Sequence, residues 1–300
     1  MFYQIDSLES IERLAERRKK AIHRLIREAT EDIGGWVRLG KMLVGLLTFP
    51  HSDEISAWAD GAGKSINLIK LLNLSYEFSH VIGAVYGCTA AGQNTRDGVV
   101  HLRNLDWPLP GIANATQIMT WDLEDRQVVN VGILGYAGIL TGMVPGRFSI
   151  AMNWGAPDGP PNPYKTRPAD LVREALTYAE DFEDAVAMLE MENIATSAIF
   201  SVAGTKKNEF AVIERTKNEA YVRPGTNEVA ANHFSEESDW DYLNDDEVKE
   251  DSLERESALR KAKKSADISA LRSCDNEDTV QKVLMIPRTG EIQLITGRRG

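Results

Sequence analysis

At 300 residues and 43% hydrophobic, the chain can form one large domain or two small ones around a substantial core. Its net charge of −11 argues against a nucleic-acid binder, which needs a basic footprint, and two cysteines, Cys88 and Cys274, are too few for a disulfide scaffold. The start, Met1-Phe2-Tyr3-Gln4-Ile5-Asp6, lacks the charge and apolar run of a secretory signal, and the longest apolar tract, 36–49, is broken by Arg38 and Lys41, so a soluble, cytoplasmic protein is expected.

Residues 1–87 read as a mostly helical N-terminal segment. Ile11, Leu14, Ala15, Ile22, Leu25 and Ile26 recur at helical spacing, with Arg13, Arg17, Lys19, Lys20, Arg24 and Arg27 between them. This basic amphipathic helix has two readings: peripheral contact with an anionic membrane, or one face packed on the domain and the other solvated, which is the stronger. Gly34-Gly35 breaks the pattern. A more apolar helix is predicted through Leu47, ended by Pro50, and a third over Ile66 to Ile82.

From Cys88 the period changes to two. Val99, Val100 and Leu102 predict a strand after the Asp97-Gly98 turn. More strands are predicted at Ile118 to Trp121, Val128 to Leu134 and Phe148 to Met152, then helices at Pro168 to Tyr178 and Phe182 to Leu189. Strands resume at Ser197 to Ala203, Phe210 to Arg215 and Ala220 to Val222. Residues 236–256 hold eleven acids and two bases and read as a solvated stretch, followed by a basic helical segment, Arg260 to Lys264. A final hairpin is expected across Thr289-Gly290. This order implies α+β layers, with two sheets stacked between helices and residues 88–300 forming one domain.

Cys88 stands where the helical and alternating regions meet. A lone cysteine is more often a small buried hydrophobe than a nucleophile. Its surroundings favour chemistry: Gly87 leaves the preceding peptide bond accessible, and a hairpin would return Arg103 and Asp106 to its side. The competing reading of Arg103 and Asp106 is a surface ion pair of little energetic value.

The segments Asn73-Leu74-Ser75-Tyr76-Glu77-Phe78, Cys88-Thr89 and Arg103-Asn104-Leu105-Asp106-Trp107-Pro108 resemble the acid ceramidase and N-acylethanolamine-hydrolysing acid amidase family. These are N-terminal-nucleophile hydrolases of the choloylglycine-hydrolase-like branch. The resemblance continues at 135–142, 202–205 and 212–215, weakly at Ala231-Asn232-His233, and covers roughly Glu54 onward.

It implies a four-layer αββα sandwich with an N-terminal helical segment, and cleavage between Gly87 and Cys88. The new α-amine, titrating near roughly 7.7–8.0, would then serve as base for the Cys88 thiol. By the same resemblance Asp106 accepts from the Cys88 amine, Arg103 favours the thiolate and orients substrate, and Asn232 donates to the oxyanion. Asn153 matches the asparagine of an Asn-Glu-Arg segment, here Asn153-Trp154-Gly155, without the other two residues. Arg255 is the only match to a family arginine, though a solvated helix charge is the stronger reading. Trp107, Tyr136, Leu140, Met143 and Trp154 could line an acyl pocket or simply pack the core.

The hairpin from Cys88 to Arg103 is one residue shorter than in mammalian members. The deletion is placed in the turn near Thr95 to Gly98, because within a strand it would flip side chains to the wrong face. Cys274 reads as a structural thiol.

The resemblance implies a small-molecule N-acyl amide substrate, a thioester intermediate and neither metal nor organic cofactor. Two alternatives stand beside the amidase: an acyltransferase on the same fold, and a non-catalytic lipid-binding relative that never cleaves.

Overall fold

Two β-sheets stacked face to face, with helices on both outer surfaces, make up the centre of the computed structural model, which describes residues 2–31, 47, 49–82 and 87–297. The larger sheet has eight strands: β1 (Phe2–Ile5), β4 (Thr116–Asp122), β5 (Gln127–Ile133), β6 (Thr141–Val144), β7 (Phe148–Trp154), β8 (Ala198–Gly204), β9 (Phe210–Arg215) and β10 (Ala220–Pro224), in that spatial order. The smaller has five, in the order β11 (Val229–Ala230), β2 (Cys88–Thr95), β3 (Gly98–Asp106), β12 (Thr279–Ile286) and β13 (Glu291–Thr296).

Helices α6 (Pro168–Tyr178) and α7 (Phe182–Met191) cover the large sheet. Helix α8 (Asp246–Ala262) and a 3-10 segment, Ile268–Cys274, cover the small one. The layers are therefore αββα.

The facing surfaces of the sheets are buried, and polar contacts cross the gap between them. His101 on β3 reaches Ser149 Oγ on β7 and Ser201 Oγ on β8, each at 2.9 Å, with its ring edge-on to Phe210. Gly92 lies opposite His101 in the hairpin, and a Cβ there would fall 2.5 Å from the Phe210 ring, so glycine is what lets the sheets close.

The N-terminal segment has more than helices. β1 adds to the edge of the large sheet, parallel to β4, which the helical periodicity did not predict. Helix α1 (Leu8–Glu31) buries Ile11, Leu14, Ala15, Ile22, Leu25 and Ile26 as its spacing requires, packing on α2 (Ser52–Ala62). The predicted helix over 66–82 is two, α3 (Ile66–Asn73) and α4 (Ser75–Ile82), separated at Leu74. This break frees the Asn73 side chain to donate to Gly135 O at 2.7 Å and accept from Ala137 N at 2.7 Å. The predicted apolar helix before Pro50 lies largely outside the described residues, as do Ala84 to Tyr86. A short helix, α5 (Gly111–Ala115), precedes β4.

The acidic stretch corrects the sequence reading most. From Asp246 it is one helix that continues into the basic segment as far as Ala262, capped by the Asp245 side chain accepting from Glu247 N and Val248 N. Ser252, Arg255 and Leu259, three and four residues apart, form its buried face.

Two buried groups give stability opposite pH slopes. Burial pushes the Glu77 carboxyl up from 4.5 to about 7, against the pull of Arg167. Folded protein thus keeps a proton that unfolded chain has lost, and stability falls as pH rises through that window. Burial, helped by Arg103, lowers the His101 imidazole from 6.5 to about 3, so this group favours folding increasingly as pH rises from about 3 to 6.5. Glu77→Gln should therefore raise the melting temperature relative to wild type more at pH 8 than at pH 5. Thermal melts at both values check this; an equal shift at both would show that Glu77 does not set the slope.

Candidate active site

Cys88 opens β2 and faces the gap between the sheets. In the β2–β3 register Cys88 pairs with Leu105, Ala90 with Arg103 and Thr95 with Gly98, without a slip. Only Arg96 and Asp97 lie between Thr95 and Gly98, and Cys88 and Arg103 share a face.

Arg103 Nη2 lies 3.6 Å from Cys88 Sγ and donates to Met152 O at 2.8 Å. Arg103 is wholly buried, and its Nε and Nη1 have no hydrogen-bond partner among the described residues. Two nitrogens, with three N–H donors between them, are thus left over in the guanidinium beside the thiol.

Asp106 acts one residue upstream. Its N–H donates to Gly87 O at 2.6 Å, and its Oδ1 accepts from Thr279 Oγ1 at 2.7 Å. A Cβ on Gly87 would fall 2.9 Å from Asp106 Oδ2, so this carboxyl lies against the peptide unit preceding Cys88.

The opposite side is built by α8 and the chain after β11. Cys88 N donates to Asn232 Oδ1 at 2.7 Å. Asn232 Nδ2 donates one of its two N–H groups to Trp154 O at 2.9 Å. Arg255 Nη1 donates to Cys88 O and Thr89 Oγ1, and its Nη2 to Asn232 Oδ1, all within 2.9 Å. A cysteine used only through its side chain needs none of this. Here two residues distant in sequence grip its backbone nitrogen and oxygen.

The loop holding Asn232 is fixed at several points. Asn153 Nδ2 donates to Ala230 O and Ala231 O. The Glu214 carboxylate accepts from Ser235 N and pairs with Arg223. Asn244 Oδ1 accepts from Phe234 N.

Burial dominates the electrostatics. It pushes the Cys88 thiol up, with the Arg103 guanidinium pulling the other way and losing. It raises the Asp106 carboxyl to about 6 against the Thr279 hydrogen bond, Arg255 and Arg103. Arg103 thus favours the thiolate, as expected, but less than burial opposes it.

Gly87, Cys88, Arg103, Asp106, Asn232 and Arg255 come together as one site. Arg255 overturns the solvated-charge reading, being 6% exposed. Asn153 supports the loop that carries Asn232. Trp107, Tyr136, Leu140 and Trp154 share the apolar cluster that holds Cys88, but Met143 sits in another with Val131, Val283 and Met285.

Cys274 is a free, buried thiol pushed up to about 12, chiefly by burial, as suits a structural residue. Sequence reasoning missed Thr279, whose partner is 173 residues away, and Ser252. The spacing Ser252, Arg255, Leu259 was the signal available for the latter.

No family model matches the chain. Among curated proteins it is 30% identical over 183 residues to N-acylethanolamine-hydrolyzing acid amidase of Oryctolagus cuniculus, covering 58% of this chain and 49% of that one. It is 25% identical over 207 residues to acid ceramidase of Balaenoptera acutorostrata scammoni, again covering 58% and 49%. The chain thus spans about half the length of these relatives.

Among solved structures, the Caenorhabditis elegans N-acylethanolamine-hydrolyzing acid amidase ortholog superposes with a TM-score of 0.52 at 21% identity, covering 67% of this chain and 93% of that one. The fold is that of the N-terminal-nucleophile hydrolases. In sequence the chain is similar to N-acylethanolamine-hydrolyzing acid amidase and acid ceramidase.

Arg255→Ala separates a structural cation from a solvated one. It would leave Cys88 O, Thr89 Oγ1 and Asn232 Oδ1 short of a charged donor and should cost about 3 kcal/mol. A solvated charge would cost at most about 0.5 kcal/mol. Urea unfolding of both proteins decides between them.

Proposed function

We propose that this protein is a cysteine amidohydrolase that makes its own nucleophile by cleaving the Gly87–Cys88 bond, then hydrolyses linear amides of N-acyl substrates. The observation that carries this is the grip on the Cys88 backbone: Asn232 holds its nitrogen, Arg255 its oxygen, and Asp106 N–H the preceding carbonyl.

For cleavage, the thiol adds to the Gly87 carbonyl carbon while the Asp106 N–H holds the developing oxyanion. The C–N bond breaks and the acyl group passes to sulfur. Water then cleaves the thioester, leaving a Gly87 carboxylate and a Cys88 amine.

In turnover the new amine accepts the thiol proton as sulfur attacks the substrate carbonyl, and a proton passes to the departing amine. Water releases the acid. Asn232 Oδ1, already on the Cys88 nitrogen, keeps the amine in place. The spare N–H groups of Arg103 orient the acyl oxygen beside sulfur. These assignments exchange parts of the roles carried over for Asp106 and Asn232.

The substrate class follows from the relatives, one named for hydrolysing N-acylethanolamines and the other a ceramidase. Trp107, Tyr136, Leu140 and Trp154 belong to the same large apolar core as Cys88. Residues 1–87 stay bound after cleavage through the Asn73 bonds, Tyr76 Oη on Ser197 O and the Arg173–Glu54 pair. An anionic membrane would meet α1 through charge alone, because its apolar face is buried.

Mixing the purified protein with an N-acylethanolamine and quenching early should add one acyl mass to the fragment beginning at Cys88. Cys88→Ala should show neither that mass nor turnover. Amine release that persists in Cys88→Ala would rule the mechanism out.

A further inference from the structure

One turn of α8 holds Asn232 on two sides. Arg255 meets its Oδ1, and Ser252 Oγ accepts its backbone N–H at 2.7 Å. The same serine oxygen is 2.7 Å from His233 Nδ1, and His233 Nε2 is 3.3 Å from Glu256 Oε2. Glu256 Oε1 in turn accepts from Arg260 Nη2 at 2.5 Å. Ser252 is wholly buried and His233 nearly so.

The hydrogen-bond bookkeeping is complete in one arrangement. With the imidazole proton on Nε2, facing Glu256, Nδ1 accepts the serine O–H, and the serine oxygen remains free to accept from Asn232. The imidazole fixes the direction of the hydroxyl, and the hydroxyl fixes the backbone from which the Asn232 side chain projects.

We propose that Ser252, oriented by His233 and Glu256, is a positioning residue that sets Asn232 against the nitrogen of Cys88. The inference rests on the reading of Cys88 as an N-terminal nucleophile. Removing the hydroxyl would leave the Asn232 N–H and His233 Nδ1 buried without a partner, and either group would then shift to find one. Asn232 Oδ1 would lose its register with the Cys88 nitrogen, slowing proton transfer without changing acyl binding.

The test compares wild type with Ser252→Ala, Ser252→Thr and Glu256→Gln, using N-acylethanolamine hydrolysis and titration of active sites with a thiol-directed acylating probe. Titration separates folding from positioning, because misfolded molecules lower the titre and misplaced ones lower kcat per titrated site. Ser252→Ala should lower kcat per site about tenfold at unchanged KM, and Ser252→Thr, which keeps the hydroxyl, should recover most of it.

Glu256→Gln, at a partly exposed position, should lower kcat per site about threefold and decides the matter if Ser252→Ala does not fold. Wild-type kcat per site in Ser252→Ala, or in Glu256→Gln where that variant decides, would overturn the proposal. So would a loss confined to the titre. A wild type that neither hydrolyses the amide nor titrates would instead overturn the reading of Cys88.

Discussion

The hydrogen bond from Cys88 N to Asn232 Oδ1 ties the backbone of Cys88 to the chain that follows its sheet neighbour β11. It couples the first residue of β2 to the loop after β11, and through Arg255 to α8. A peptide N–H at a strand start usually finds a backbone carbonyl or water. Spending a buried asparagine and a buried arginine on this one residue makes sense if its nitrogen is to be left without its peptide carbonyl.

Burial works for and against the site. It raises the Cys88 thiol and the Asp106 carboxyl and leaves part of the Arg103 guanidinium unpaired. Each disfavours a charge that the chemistry would need. A new amine beside the sulfur would ease this, since a thiol with an adjacent base need not ionise before it attacks. The spare Arg103 donors, costly in the intact chain, then have a substrate oxygen to meet.

The fold and half the site were legible in the sequence because they are local. A two-residue turn and strict alternation place Cys88, Ala90, Arg103 and Leu105 on one face, and this parity follows from reading outward from Arg96-Asp97. Arg255, Ser252 and Thr279 were less accessible for a different reason. Eleven acids between 236 and 256 made α8 look solvated, although only the outward side of the helix carries that charge. Thr279 meets Asp106 through the β3–β12 pairing, which no local pattern announces. β1 has four residues and β11 two, too few for periodicity to register.

The central claim is that the Gly87–Cys88 bond is built to be broken by its own thiol. Intact-mass spectrometry of purified wild type beside Cys88→Ala, from mildly acidic to neutral pH, tests it most directly. The account predicts two wild-type fragments meeting between Gly87 and Cys88, and a single uncut chain in Cys88→Ala. A wild-type chain that stays whole throughout, or a Cys88→Ala chain cut at the same bond, would contradict it.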